Sequence, residues 1–130
     1  MVYDFAKFNV WQKAMALAHD IHRHTKVFPS DERYGMTSQM RRAALSVAAN
    51  IAEGFGRYTY PDKMHKYVQA RGELVELMTF LHHAMSIGYM KEAVFQEAMR
   101  MSVDIHKMLN ALIAKMDRLE KSAVSRSPKS

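Results

Sequence analysis

The chain has no cysteine, few prolines and glycines, and no long hydrophobic run. Without cysteine it can form neither a disulfide framework nor a thiolate metal site. Only three prolines and five glycines occur, mostly between predicted helices, and this composition favours an all-helical fold. No apolar run is long enough to span a bilayer, and the N-terminus lacks a signal-peptide pattern. We therefore expect a cytoplasmic protein with one domain and one core.

Positive charge is in excess, with a net charge of +6 at pH 7. Such an excess favours contact with nucleic acid or another polyanion, although it does not establish that contact. The alternative is a soluble protein whose basic character has no functional reason, and the composition leaves both interpretations open.

The segment from residue 34 to residue 57 organises the rest of the chain. We predict a helix from Thr37 to Glu53, stopped by Gly54 and Gly56. Successive residues of a helix are rotated by about 100°, which places one set of polar residues in a narrow stripe. That stripe consists of Gln39, Arg42, Ser46, Asn50 and Glu53. Nearly all other positions are apolar or small, whereas a surface helix has a single apolar face. We therefore expect this helix to be covered by its own bundle and also by a second molecule.

The first helix points to the same kind of assembly. It is predicted to begin with Asn9 as its N-cap and to end before Pro29, which cannot continue a helix. One apolar stripe along it serves as a core face, and a second stripe about 100° away is more apolar than a solvated face should be. We therefore predict a homo-oligomer. Its predicted interface consists of Trp11, Met15, Leu45, Ala48 and Ala52.

Two longer helices complete the predicted domain. The third runs from Pro61 to Ser86 with Thr59 as N-cap, and the fourth runs from Lys91 to Ser122. Residues 123–130 are rich in Ser, Lys and Arg and are predicted to form a disordered basic tail, which leaves 1–122 as the folded domain. Four amphipathic helices with short connections fold most simply as an antiparallel up-and-down four-helix bundle.

Arg71 falls within the apolar stripe predicted for the third helix. That stripe consists of Met64, Tyr67, Val68, Leu74, Val75, Met78, Leu81 and Met85. A buried guanidinium needs an anionic partner, so we predict a buried polar cluster of Arg42, Asn50, Glu53 and Arg71. Glu53 is the favoured partner, and Asp104 or another subunit is the alternative. Removing one member of a buried pair costs roughly 3–5 kcal/mol, so Arg71→Ala should destabilise the fold strongly.

Several short motifs in the first two-thirds of the chain resemble a known family. They are Trp11-Gln12-Lys13-Ala14, Phe28-Pro29, Glu32, Tyr34-Gly35, Thr37-Ser38-Gln39-Met40-Arg41-Arg42-Ala43-Ala44, Ser46, Asn50-Ile51-Ala52-Glu53-Gly54, Arg57, Ala70-Arg71-Gly72 and Glu76. In this order they resemble the four-helix-bundle proteins encoded in intervening sequences of bacterial 23S ribosomal RNA. The chain is similar, more remotely, to accessory proteins of diversity-generating retroelements.

The resemblance implies an assembly and a class of partner. It implies a homo-oligomer of four-helix protomers, with a pentamer as the expected number. The retroelement accessory proteins are basic pentamers that bind nucleic acid and a reverse transcriptase. No enzymatic activity comes with the intervening-sequence branch.

The sequence offers little support for catalysis, a metal or a cofactor. No two carboxylates have a spacing that marks them as an acid–base couple. Seven histidines are present, and His19 and His22 can share a helical face, but neither an HExxH motif nor a further ligand stands nearby. Gly54 and Gly56 follow a helix instead of opening one, so they do not form a phosphate loop. We expect no enzyme activity, no metal site and no cofactor.

Nucleic acid is the more serious functional hypothesis. The predicted contacts are Arg41, Arg57, Tyr58, Lys63 and Lys66. The lysines and arginines would bind phosphate, and the tyrosine would stack on a base of structured RNA or of an RNA or DNA strand. The alternative for Arg41 and Arg42 is a structural role in pairs with carboxylates. The second functional hypothesis is an adaptor oligomer whose partner is another protein, such as a reverse transcriptase.

Overall fold

The computed structural model describes residues 4–126, and most of them lie in four α-helices. The helices are α1 (Asn9–His24), α2 (Met36–Gly56), α3 (Tyr60–Ser86) and α4 (Glu92–Arg126). Short 3₁₀ segments lie at Asp4–Lys7, Thr25–Val27 and Ser30–Glu32. The described residues contain no strand, which confirms the predicted all-α class. None of the helices between residues 4 and 126 combines the length and hydrophobicity that a membrane span requires.

Each helix packs against two others around one hydrophobic core. The pairs in contact are α1 with α2, α2 with α3, α3 with α4, and α4 with α1. Along α2 the polar contacts with α3 run from Arg42, which meets Glu76, to Glu53, which meets Lys66. As the residue numbers on α2 increase, the residue numbers of their contact partners on α3 therefore decrease. Buried residues of all four helices form the core between them.

The close approach of α2 to α3 depends on Gly54. Of the two glycines predicted to stop α2, Gly56 is the last residue of the helix, which confirms that part of the prediction, whereas Gly54 lies inside the helix, so its assignment as a stop is wrong. A Cβ atom on Gly54 would lie 2.5 Å from Cε1 of Tyr67. The glycine is therefore a packing position, which lets the tyrosine ring rest on the α2 backbone. Burial of Tyr67 raises its pKa to about 12.

The core face of α3 differs from the predicted stripe. Its buried residues are Tyr67, Ala70, Leu74, Leu77, Leu81 and Ala84. Val68 and Val75, which were predicted to be core residues, are exposed. The buried face of α3 therefore lies on a different side of the helix from the two valines, and Arg71 stands at the edge of that face instead of in its middle. The valines misled the prediction because β-branched residues also occur on exposed helix faces.

The ends of α3 and α4 agree with the sequence in part. Thr59 is the predicted N-cap of α3, and its Oγ1 accepts a hydrogen bond from Asp62 N at 3.2 Å. Gly88 has a φ of +83° in the turn that follows α3, a conformation that glycine adopts easily. α4 extends to Arg126, four residues beyond the predicted end at Ser122. The remainder of the predicted tail, residues 127–130, lies outside the described residues.

Candidate nucleic-acid interface

The turn between α2 and α3 exposes an arginine next to a tyrosine. It consists of residues 57–59, and the first two are Arg57 and Tyr58. Arg57 is extended and its backbone N donates to Gly54 O at 3.2 Å, which closes the end of α2. The Tyr58 residue is 97% exposed. Neither side chain hydrogen-bonds to any residue in the part of the chain that the structure describes, so both can meet a ligand.

Lys63 has a structural role at the end of α2. Its Nζ donates to Phe55 O at 2.6 Å and to Gly54 O at 3.4 Å, and it lies 5.7 Å from the centre of the Phe55 ring. The last carbonyls of a helix carry a partial negative charge, which this ammonium group offsets. Lys63 therefore lies beside the turn that contains Arg57, and its ammonium group interacts with the carbonyl groups at the end of α2.

Lys66 is also engaged within the protomer. Its Nζ lies 3.0 Å from Glu53 Oε2. This hydrogen bond and the charge of Lys66 hold the pKa of Glu53 below its usual range, and the nearby charge of Arg57 lowers the same pKa further. Of the predicted cations at this end of α2, Arg57 is the one that projects into solvent.

Arg41 lies at the opposite end of α2 from the other predicted contacts. Sixteen residues separate it from Arg57, or about 24 Å of helix at 1.5 Å per residue. Its Nε donates to Thr25 Oγ1 at 2.9 Å, and its Nη2 donates to His22 O at 3.3 Å. Thr25 in turn donates to Ile21 O at 2.8 Å. Arg41 thus fastens the C-terminal end of α1 to α2, and the structure does not bring it together with Arg57.

The predicted buried polar cluster does not form, because its four members have separate partners. Arg42 is half-exposed; its Nη2 lies 2.7 Å from Glu76 Oε1 and its Nη1 lies 3.5 Å from Glu73 Oε2. The alternative interpretation of Arg42, as one partner in a pair with carboxylates across helices, is therefore confirmed. Asn50 Nδ2 donates to Ser46 O at 2.9 Å, one turn earlier in its own helix.

Arg71 pairs with α4 instead of with Glu53. Its Nη1 donates to Asn110 Oδ1 at 2.9 Å, in a contact that is open to solvent. Glu53 is exposed and bound to a lysine, so the predicted buried pair is wrong. Asp104, the alternative partner, lies 2.5 Å from Lys13 Nζ and joins α4 to α1. Because Arg71 stands at the edge of the core face, its long side chain reaches water without needing a carboxylate.

The residues predicted for an oligomer interface differ in exposure. Ala48 is only 1% exposed and packs inside the protomer, so its assignment to an interface is wrong. The outer side of α2 does carry Leu45, which is 54% exposed. Trp11, Met15 and Ala52 are half-buried. The first two pack partly against the core of their own protomer. Four of the five residues thus retain surface that a second molecule can cover.

A basic cleft between α1 and α2 was not predicted as a site. It has a volume of about 650 Å³, and its walls include Lys26, Arg33 and Arg41. In this region the sequence predicts only that the first helix ends before Pro29. The sequence signal for this cleft is that Lys26 and Arg33 carry positive charge shortly before the start of α2. At that start, backbone N–H groups lack helical partners.

Histidines do not gather into a metal site within residues 4–126. His19 and His22, which share a helical spacing, are both exposed on α1. His24 Nε2 lies 3.3 Å from Asp20 Oδ1. Across the described range, no three His, Asp or Glu side chains come together as metal ligands would.

One of the comparisons with known proteins identifies a family. The family model described as 23S rRNA-intervening sequence protein matches residues 6–111. Among solved structures, a similar one is the crystal structure of a protein with unknown function from the S23 ribosomal protein family, from Bacteroides thetaiotaomicron. Its TM-score is 0.73 at 22% identity, over 80% of this chain and 97% of that chain, and at this identity the likeness shows the fold alone. No curated protein matches the sequence.

Proposed function

Because the chain belongs to the family of 23S rRNA-intervening sequence proteins, we propose that it is a non-enzymatic, oligomeric bundle that binds nucleic acid through basic surface. The ligand we propose is structured RNA or another RNA or DNA strand. The observation that carries this proposal is the exposed Arg57 beside the exposed Tyr58 in the α2–α3 turn.

This pair suits a phosphate and an unpaired base. A guanidinium donates to phosphate oxygens, and an exposed tyrosine ring offers a face on which a base in a loop or at a strand end can stack. Lys63 supports the arrangement because it neutralises the last carbonyls of α2. A phosphate that approaches Arg57 therefore does not face an uncompensated negative helix end.

Exposed cations elsewhere would add affinity without sequence readout. The last turns of α4 carry Lys115, Arg118 and Arg126, all exposed. Phosphate contacts of this kind position a protein on nucleic acid but do not distinguish bases. We therefore propose binding that depends on shape and charge, in a protein whose net charge is +6.

A titration of a fluorescent RNA hairpin at low salt tests the proposal. Arg57→Glu should weaken binding at least about tenfold, since it replaces a charge-assisted contact with repulsion. Tyr58→Ala should weaken it by a similar factor, because stacking on one aromatic ring is worth roughly 1–3 kcal/mol. The matched control is Lys107→Glu, which makes the same charge change at an exposed position of α4. Absence of wild-type binding, or equal losses for Arg57→Glu and Lys107→Glu, would contradict the proposal.

For the assembly, we propose an antiparallel up-and-down bundle that forms a homopentamer. The surface that Trp11, Met15, Leu45 and Ala52 each leave uncovered supports an interface, and the family resemblance supports the number. A ring would present five copies of the Arg57–Tyr58 pair and raise affinity through multivalency. Light scattering should give five times the protomer mass of 15.0 kDa, and Leu45→Glu should reduce it. A 15 kDa species at micromolar concentration would rule out the assembly.

An adaptor function is the second candidate, and the outer face of α3 favours it. Val68 and Val75 are exposed there, two turns apart on one side of the helix. Such a stripe suits a protein partner, which we propose is a reverse transcriptase.

The nucleic-acid-binding and adaptor functions can be separated experimentally. Val75→Glu should abolish co-purification with a reverse transcriptase encoded beside the gene and leave hairpin binding intact, and Arg57→Glu should do the reverse.

A further inference from the structure

We propose that the cleft between the end of α1 and the start of α2 binds a phosphate group. The cleft lies at the other end of α2 from Arg57 and Tyr58, so this inference does not rest on the function proposed above. Three cationic side chains, Lys26, Arg33 and Arg41, stand in its walls. Asp31 and Glu32 are adjacent in sequence, but neither lines the cleft, and Glu32 Oε2 accepts a hydrogen bond from Tyr89 at 3.1 Å.

The first turn of α2 opens into this cleft with unused donors. Gln39 N donates to Gly35 O at 3.0 Å, which is the first backbone bond of the helix. The N–H groups of Met36, Thr37 and Ser38 have no acceptor among residues 4–126, and no side chain caps the helix. Three such N–H groups and the positive end of the helix dipole attract an oxyanion.

Thr37 supplies a second and independent observation. The residue is only 8% exposed and lines the cleft. Its hydroxyl has no hydrogen-bond partner within the described range, whereas every completely buried side-chain oxygen or nitrogen there has one. The hydroxyl is therefore not completely buried, and the residue that carries it lines the cleft. A phosphate oxygen in the cleft would accept a hydrogen bond from this hydroxyl.

The cations differ in how firmly they are held. Arg41 is fixed by Thr25 and His22 through its Nε and Nη2, so its guanidinium is in place before any ligand arrives. Arg33 lies over the ring of Tyr34, 5.9 Å from its centre. Tyr34 also lines the cleft and is 87% exposed. A phosphate that carries a base could place that base on the exposed ring.

The shared chemistry is a phosphate group, and three sources can supply it. They are inorganic phosphate, a mononucleotide and the backbone of a nucleic acid. A volume of about 650 Å³ is within the range of small-molecule sites. The source decides whether the cleft is a small-anion site, a nucleotide site or a second contact for RNA.

An amide NMR titration of the full chain tests the site directly. The probes are inorganic phosphate, uridine monophosphate and a short RNA, each at constant low ionic strength against a chloride control. We expect saturable shifts at the amides of Thr37 and Ser38. Lys26→Ala with Arg33→Ala should weaken them about tenfold or more, since each removes a charge-assisted contact from an exposed position. Thr37→Val, which keeps the shape and removes the hydroxyl, should weaken them less.

Each outcome has a defined meaning. Equal affinity for phosphate and the nucleotide identifies a small-anion site, tighter nucleotide binding with shifts at Tyr34 identifies a nucleotide site, and shifts with RNA alone identify a backbone contact. No saturable shift at Thr37 and Ser38 with any probe, or shifts that the Lys26 and Arg33 substitutions leave unchanged, would overturn the inference. Arg57→Glu should leave these shifts intact, which separates this site from the α2–α3 turn.

Discussion

The two ends of α2 use arginine in opposite ways. At the start of the helix, Arg41 is hydrogen-bonded to the last turn of α1. At the other end, Arg57 is exposed in a turn of three residues. The difference lies in the neighbouring chain, because the C-terminal end of α1 supplies a hydroxyl and a carbonyl to Arg41, whereas the short α2–α3 turn cannot fold back over Arg57. Arg57 therefore keeps every side-chain donor for a ligand, whereas Arg41 keeps only the donors that Thr25 and His22 leave unused.

The largest expected effect comes from the close contact that holds the α2–α3 end together. Gly54→Ala would place a Cβ 2.5 Å from the buried ring of Tyr67 and force the two helices apart. Overpacking of this kind costs roughly 1–3 kcal/mol of unfolding free energy, which urea melts measure. The matched control is Gly72→Ala on the exposed side of α3, where a Cβ would meet nothing within 4 Å.

That control should raise stability. An interior helical glycine costs roughly 0.5–1 kcal/mol relative to alanine, so Gly72→Ala should stabilise by about that amount. If Gly54→Ala is as well tolerated as Gly72→Ala, the turn does not depend on the Gly54 contact.

The next effect compares the two arginines. Arg41→Met should lower the unfolding free energy by about 1–3 kcal/mol, because it removes two hydrogen bonds from a charged donor near the buried Thr25. Arg57→Met should stay within about 0.5 kcal/mol of wild type, as exposed positions usually do. Urea melts of both variants measure the contrast. Equal losses would show that the two ends of α2 do not differ as described.

A smaller effect is expected at Arg71, midway along the bundle. The sequence predicted a strong loss for Arg71→Ala, but the contact with Asn110 is open to solvent. Arg71→Met should therefore cost less than about 1 kcal/mol, and a double-mutant cycle with Asn110→Ala should give a coupling of similar size. A loss of several kcal/mol in either measurement would restore the interpretation of Arg71 as a buried partner.

The smallest effect is a pH dependence at the contact between α1 and α4. The hydrogen bond from Lys13 holds the pKa of Asp104 below its usual value of 3.8. A carboxyl group with a lowered pKa in the folded state stabilises the fold above the unfolded pKa, and this contribution disappears as the pH falls through the folded pKa. Wild type should therefore lose more stability than Lys13→Met between pH 5 and strongly acidic pH. If wild type and Lys13→Met lose the same amount of stability as the pH falls, this assignment is contradicted.

Much of the fold could be predicted because helical periodicity and helix ends are local signals. The positions of all four helices and the Thr59 cap follow from residues close in sequence. The role of Gly54 could not be predicted, because the atom that requires a glycine belongs to Tyr67 on the next helix. The core face of α3 was misjudged because apolar residues lie on more than one of its sides.

The candidate site was less predictable because charged side chains are long. Arg41, Lys63 and Lys66 were identified as basic residues near α2, but the sequence could not show that carbonyls and a carboxylate engage them. Arg57 and Tyr58, which were predicted as nucleic-acid contacts, are exposed, since a short segment between two helices leaves no room for burial. The basic cleft needs two connected elements in three dimensions, so it emerged from the structure.

The salt dependence of RNA binding tests the central claim most directly. Each phosphate that a cation neutralises releases counterions, so the logarithm of the affinity should fall linearly with the logarithm of the salt concentration. We predict a steep slope for wild type. For Arg57→Gln the magnitude of the slope should be smaller by about one for each Arg57 side chain that contacts RNA. The Lys107→Gln control should keep the wild-type slope. An affinity that does not change with salt, or identical slopes for wild type and Arg57→Gln, would contradict the account.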